Sequence, residues 1–174
     1  MSFGIDITLF YSILVVFGVL FGSLYSINAY IWKKRIRKSG IKEIDRMKGD
    51  IFENYLYEVY KNHGYKGKVT KTSGDYGADL ILTKDKVSYV VQAKRYSKPV
   101  GVKAVQEVLG AMLFYKCDKA IVVTNNNFTK QARTMAKGTG VALVDREQLI
   151  TMILKMNPGA LENRNPNSKG KEQV

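Results

Sequence analysis

From Ile7 to Trp32 the chain reads ITLFYSILVVFGVLFGSLYSINAYIW, an apolar run with no charged residue. That length crosses a hydrocarbon core of about 30 Å with some tilt, and it predicts one transmembrane helix. A cleaved signal peptide is the rival. It calls for a basic leader and a shorter apolar stretch, whereas MSFGID carries no positive charge and KKRIRK follows Trp32. Only Ile27-Asn28-Ala29 suggests a cleavage site. Positive charge after the span sets the orientation: a single-pass anchor in the cell membrane with the C-terminal part cytoplasmic. Tyr25, Tyr30 and Trp32 would form an interfacial belt or serve as ordinary helix residues.

Residues 33–48 are mostly charged and read as a basic juxtamembrane linker. The pattern then turns periodic. Phe52, Tyr55, Leu56, Val59 and Tyr60 recur at helical spacing from Ile51 to Asn62, and His63-Gly64 supplies a stop. Three β-rich runs follow, at Lys68 to Thr72, Ala78 to Thr83 and Val87 to Tyr96, separated by SGDYG and KDK, and predict an antiparallel meander. Val102 to Lys116 is a second amphipathic helix with Val102, Val105, Leu109, Met112 and Leu113 on its apolar stripe. Lys119 to Thr124 is a strand apolar enough to be buried on both faces. A helix at Thr129 to Lys137, a strand at Val141 to Val144 and a helix at Arg146 to Lys155 complete an α/β sandwich with a mixed sheet over residues 49–156. Residues 157–174 have little to bury and read as a disordered tail.

Charge changes the picture. There are 28 Lys and Arg against 15 Asp and Glu, a net charge of +13, and no basic residue precedes Lys33. Such a surplus fits a polyanionic partner, either nucleic acid or anionic lipid, although a lysine-rich solvated surface is the plain alternative. Cys117 is the only cysteine, which excludes an intrachain disulfide and a cysteine-built zinc site.

In the third strand Val87, Tyr89, Val91 and Ala93 share one face, which puts Gln92 and Lys94 together on the other. A lone Gln-x-Lys is most often just an exposed strand face. Here, however, SGDYGADLIL places Asp79 at the start of the preceding strand, within cross-strand reach of Gln92. A carboxylate, an amide oxygen and a lysine are what metal-assisted phosphodiester hydrolysis requires: oxygen ligands for Mg²⁺ and a cation near the attacking water. Lys94 would orient that water, help deprotonate it, or stabilise the charge on phosphate.

The strings SGDYGADLIL, VVQAKRY, GVKAVQEVLGA, KAIVVTN, FTKQAR and VALVDREQL, preceded by the helix from Phe52 to Gly64-Tyr65, resemble the Mrr-like branch of the PD-(D/E)XK nucleases over residues 49 to 150. The resemblance implies a restriction-endonuclease-like three-layer sandwich with a mixed central sheet, here preceded by one transmembrane helix. It matches Asp79 to the metal-binding aspartate, Gln92 to the motif's Glu position and Lys94 to its lysine. Glutamine recurs at this position in part of the branch, and a neutral ligand holds a metal less tightly than a carboxylate. The resemblance further implies that Glu53, on the first helix, joins Asp79 and Gln92 as a metal ligand, with Mg²⁺ as cofactor and Mn²⁺ as a substitute. A solvated acid favoured by the helix dipole is the alternative for Glu53.

Gln106 falls inside the apolar stripe of the second helix and is expected to be buried, with the site, DNA or a carbonyl as its partner. Arg95, Lys98 and Lys103 flank the proposed site and would hold phosphates, while Ser73, Tyr76 and Tyr96 would contact the backbone or stack on bases. The leading expectation is a membrane-anchored, metal-dependent DNA endonuclease restricting modified or foreign DNA. A homodimer would let it cut both strands. The rivals are a non-catalytic nucleic-acid-binding module at the membrane and a structural adaptor whose charge serves anionic lipid.

Overall fold

A computed structural model describes residues 7–38, 41–70 and 76–156. Two compact units divide the chain, Met1–Ile36 and Arg37–Val174. In the first, helix α1 (Ile7–Lys38) is 32 residues long. Its described side chains, at positions 11–24, 26 and 27, are all exposed, with apolar residues such as Leu14, Phe17 and Phe21 among them. Among the described residues no helix is long and apolar enough to cross a membrane. The described side chains cover a shorter stretch than the expected span of 7–32.

The second unit is built as α2 (Ile41–Ile44), α3 (Gly49–Asn62), β1 (Lys66–Val69), β2 (Leu80–Lys84), β3 (Val87–Lys94), α4 (Val102–Phe114), β4 (Lys119–Thr124), α5 (Lys130–Thr139), β5 (Ala142–Val144) and α6 (Arg146–Met156). The sheet order is β1-β2-β3-β4-β5. β1, β2 and β3 form the expected antiparallel meander, and β3, β4 and β5 run parallel, so the sheet is mixed. Val90 and Val122 face α4 and α5, packing with Val105, Val108 and Ala132. Alternation along the strands sends Val91 and Val123, both fully buried, to the other face, where α3 and α6 lie. β4 is buried from Ala120 onward, as an all-apolar central strand requires.

Several details differ from the sequence-based expectations. Ile44 is fully buried and Asp45 is bonded into the domain, so packing begins before Gly49, inside the segment read as linker. The first strand is Lys66–Val69, two residues earlier than expected. Gly64, at φ 84, closes α3 and lets Tyr65 turn directly into the strand. The expected stripe of α4 holds at Val105, fully buried, and at Leu109 and Met112, which pack partly buried against the core, but Ala104, Val108 and Ala111 are buried as well and Leu113 is 75% exposed. Gln106 is exposed, not buried. Thr129 caps α5, its hydroxyl accepting from the Ala132 N–H at 3.2 Å. Ser73 and the tail at 157–174 lie outside the described residues.

β1 can pair with β2 only because residue 67 is glycine. At Gly67, with φ 153, a Cβ would stand 2.0 Å from the Ile81 carbonyl oxygen and 2.9 Å from the Leu82 Cα, both immovable backbone. Gly67→Ala is expected to destabilise the domain by about 1–3 kcal/mol. Gly110→Ala, on an open face of α4 with nothing within 4 Å, is expected to be neutral or to stabilise by up to about 1 kcal/mol. Urea unfolding followed by circular dichroism separates the two; equal effects would contradict the packing described for β1.

Candidate active site

The site forms where the meander meets the parallel half of the sheet. The antiparallel register ends at Leu80↔Val91, and Asp79 stands immediately before it, beside the end of β3. The backbone fixes its position: the Asp79 N–H donates to the Val91 carbonyl at 2.8 Å, and the Thr70 N–H donates to the Asp79 carbonyl at 2.9 Å. Asp79 is thereby held at the head of β2 with its carboxylate turned to the end of β3. There its Oδ2 accepts from the Ala93 N–H at 2.6 Å and from the Gln92 side-chain amide. Asp79 is 7% exposed and Gln92 4% exposed.

With Nε2 of Gln92 engaged by Asp79, its Oε1 is left buried without a hydrogen-bond partner. A buried oxygen in that state is unfavourable by roughly 1–3 kcal/mol unless something supplies positive charge or a proton. A carboxylate and an orphaned amide oxygen side by side are hard donors, and they fit a divalent cation such as Mg²⁺ or Mn²⁺. Among the described residues no three His, Cys, Asp or Glu side chains cluster as a metal site, so the fit rests on one carboxylate plus the amide. Glu53, partly buried near the start of α3, lines the same cavity of about 550 Å³, as the expected further acid.

Lys94 also lines this cavity, two residues beyond Gln92 on the same strand face. Its Nζ lies 2.8 Å from Oε2 of Glu107, an α4 residue on the cavity wall. Partial burial works against the charge on Lys94, but the hydrogen bond and charge of Glu107, with smaller help from Asp79, hold its pKa above the usual lysine value. The lysine is therefore an ammonium at neutral pH, which favours a charge-stabilising role over proton abstraction.

Glu107 escaped the sequence reading. Its i,i+4 relation to Lys103, at 3.9 Å, has the form of an ordinary helix-surface pair, and nothing in the local sequence points across to β3. Gly77 fixes the turn against this same residue: φ is 86, and a Cβ there would lie 3.0 Å from the Glu107 carbonyl oxygen.

The remaining candidates separate. Tyr76, Arg95 and Tyr96 line the cavity. Lys98, Lys103 and Gln106 are exposed and outside its wall. Arg95 is turned partly inward: Nη1 donates to the Asp45 carbonyl at 3.2 Å, and Nε is buried without a partner. Asp45 is itself gripped by both terminal nitrogens of Arg146, at 2.8 and 2.9 Å, and by Asn125 at 2.9 Å. The Arg146 hydrogen bond holds the Asp45 carboxyl below its usual pKa. Asn125 also accepts from the Tyr96 N–H at 2.9 Å. These contacts stiffen the exit of β3. They join residues far apart in sequence, and no local motif announced them.

Comparison with known proteins bears on the fold and the family. Residues 44–153 match the family model Mrr_cat, described as restriction endonuclease. The chain is 32% identical over 117 residues to the type IV methyl-directed restriction enzyme EcoKMrr of Escherichia coli (strain K12), covering 62% of this chain and 38% of that one. It thus spans well under half the length of that relative. In fold it is similar to the DNA modification-dependent restriction endonuclease AspBHI (TM-score 0.55, 19% identity, 76% of this chain and 38% of that one). It is also similar to the crystal structure of a protein of unknown function (TM-score 0.51, 18% identity, 61% of this chain and 65% of that one). With the matched segment beginning at buried Ile44 and running through the whole sheet, the chain belongs to the Mrr-type restriction endonuclease family.

Proposed function

We propose that this protein is a divalent-metal-dependent DNA endonuclease that hydrolyses phosphodiester bonds, acts on modified or foreign DNA, and is anchored in the cell membrane with its catalytic domain in the cytoplasm. The observation that carries the nuclease reading is the buried contact of Asp79 with Gln92 and the Ala93 N–H, beside an unpartnered Gln92 oxygen and the Lys94 ammonium. Asp79 and Gln92 Oε1 would hold the cation, with Glu53 as a further ligand from α3. A cation bound there supplies polarisation of the phosphate and acidification of the attacking water. The chain's own part is to fix that geometry through the strand register and to keep Lys94 as a cation where negative charge develops on phosphate.

DNA is the partner that the net charge of +13 suits. Arg95, Lys98, Lys103, Gln106, Ser73 and Tyr76 are the residues we assign to it, Arg95 and Tyr76 from the cavity wall and the exposed cations from outside. The relative named above is methyl-directed and AspBHI is modification-dependent, which supports modified DNA as the substrate. Cutting both strands would use two copies, hence a homodimer. The neutral Gln92 favours a second reading, a module that binds DNA at the membrane without cutting it, because one carboxylate leaves little negative charge for a cation.

Anchoring is supported by the uncharged run from Ile7 to Trp32 and by the helical course of α1, 32 residues or about 48 Å at 1.5 Å per residue. The hydroxyls of Ser23 and Ser26 donate to the carbonyls of Leu20 and Gly22 at 2.8 and 2.9 Å, which satisfies them without water.

The full chain, purified in detergent, is expected to nick or cut plasmid DNA with Mg²⁺ or Mn²⁺ but not with EDTA, and modified plasmid in preference to unmodified. Lys94→Ala should lower the rate on the order of 10²- to 10³-fold while retaining DNA binding. Binding without cutting under every cation would favour the second reading. In membranes, the full chain should resist alkaline carbonate extraction and a chain lacking residues 1–32 should be released; release of both would remove the anchor.

A further inference from the structure

We infer that Tyr76, braced by Phe114, is a stacking platform for one unpaired base of the DNA strand, which makes single-stranded or locally opened DNA the ligand of this part of the surface. The inference rests on the nuclease reading of Asp79, Gln92 and Lys94 and adds the state of the strand beside them. Four observations meet at Tyr76. Its φ is 51, a conformation that a bulky aromatic residue rarely adopts and that persists only where the surroundings enforce it. The enforcement is visible next door, where Gly77 is pressed so closely on Glu107 of α4 that a Cβ would be only 3.0 Å from its carbonyl oxygen. The turn therefore holds the ring outward, at 62% exposure.

The ring is also supported. It stacks on Phe114, 55% exposed, with centroids 4.0 Å apart and planes 28° apart, and Phe114 meets Tyr115 edge-on at 4.9 Å. A rigid aromatic surface left open to water is what an incoming π-face covers. Its place narrows the ligand, because Tyr76 lines the same cavity as Asp79, Gln92 and Lys94. A strand whose phosphate occupies that cavity brings its own bases to the rim. Tyr96, a second exposed aromatic, lines the same cavity, and Lys103 stands exposed in the first turn of α4. Bases inside an intact duplex are already stacked on each other and offer no free face, so a platform here selects an unpaired or extruded one.

The test is binding of the full chain in EDTA, where no cutting interferes, to fluorescent oligonucleotides that are single-stranded or fully paired, some carrying 2-aminopurine. Tyr76→Ala is expected to weaken single-strand binding on the order of tenfold, with Phe114→Ala losing less. Tyr76→Trp should retain the affinity and the quenching of 2-aminopurine that stacking produces, and the loss in Tyr76→Ala should be several-fold smaller for duplex than for single strand. Unchanged single-strand affinity in Tyr76→Ala, or an equal loss for duplex, overturns the inference. So does a change in oligomeric state without a change in DNA binding, which would assign the patch, with exposed Leu113, to a second copy of the chain. If the unmodified chain cuts DNA and Tyr76→Ala binds and cuts as well, only the platform fails; if the unmodified chain binds no DNA at all, the nuclease reading fails with it.

Discussion

The register between β2 and β3 is the constraint on which the rest of the site depends. Because Leu80 pairs with Val91, Asp79 comes beside Gln92, and the two nearly buried side chains meet at the wall of the cavity. A slip of one residue would send every β3 side chain to the opposite face and part the carboxylate from both the amide and Lys94. The register is protected from both sides. β3 is a central strand, held antiparallel to β2 and parallel to β4, with Val90 and Val91 fully buried on opposite faces. β2 is held in turn by β1, which reaches it only through the glycine at position 67.

Around that contact the protein handles charge economically. Asp79 accepts from two N–H donors, and Gln92 keeps one oxygen without a hydrogen-bond partner as the feature that asks for a ligand. Lys94 is tied to Glu107 on the helix layer, so α4 takes part in setting the lysine's position while the sheet sets the acid's. The two halves of the site are joined where Gly77 packs on Glu107. The Asp45, Arg146 and Asn125 cluster does similar work at the exit of β3, where Arg95 and Tyr96 leave the strand.

Much of this was legible in the residues. Helix and strand positions followed from spacing, since 3.6- and 2-residue periods survive in a single sequence. Asp79, Gln92 and Lys94 could be brought together on paper because strand alternation and antiparallel pairing are local rules. What stayed hidden depended on contacts between distant segments. Glu107 looked like the surface partner of Lys103, and Asp45 was counted with a linker although Arg146, 101 residues later, clasps it. The stripe of α4 was right at Val105, Leu109 and Met112 but took in Leu113, which is exposed, and missed Ala104 and Ala111, because a hydropathy pattern ranks leucine above alanine. That misjudgement also concealed the aromatic patch at the end of α4.

The central claim is that Asp79 and Gln92 together form a cation site, and titration of Mn²⁺ into the full chain tests it most directly, by calorimetry or by the loss of free Mn²⁺ signal in electron paramagnetic resonance. The account predicts saturable binding that Asp79→Asn abolishes and Gln92→Glu tightens, since the added carboxylate gains from the cation what it loses by facing Asp79. Binding that survives Asp79→Asn unchanged, or no binding in the unmodified chain, would contradict it.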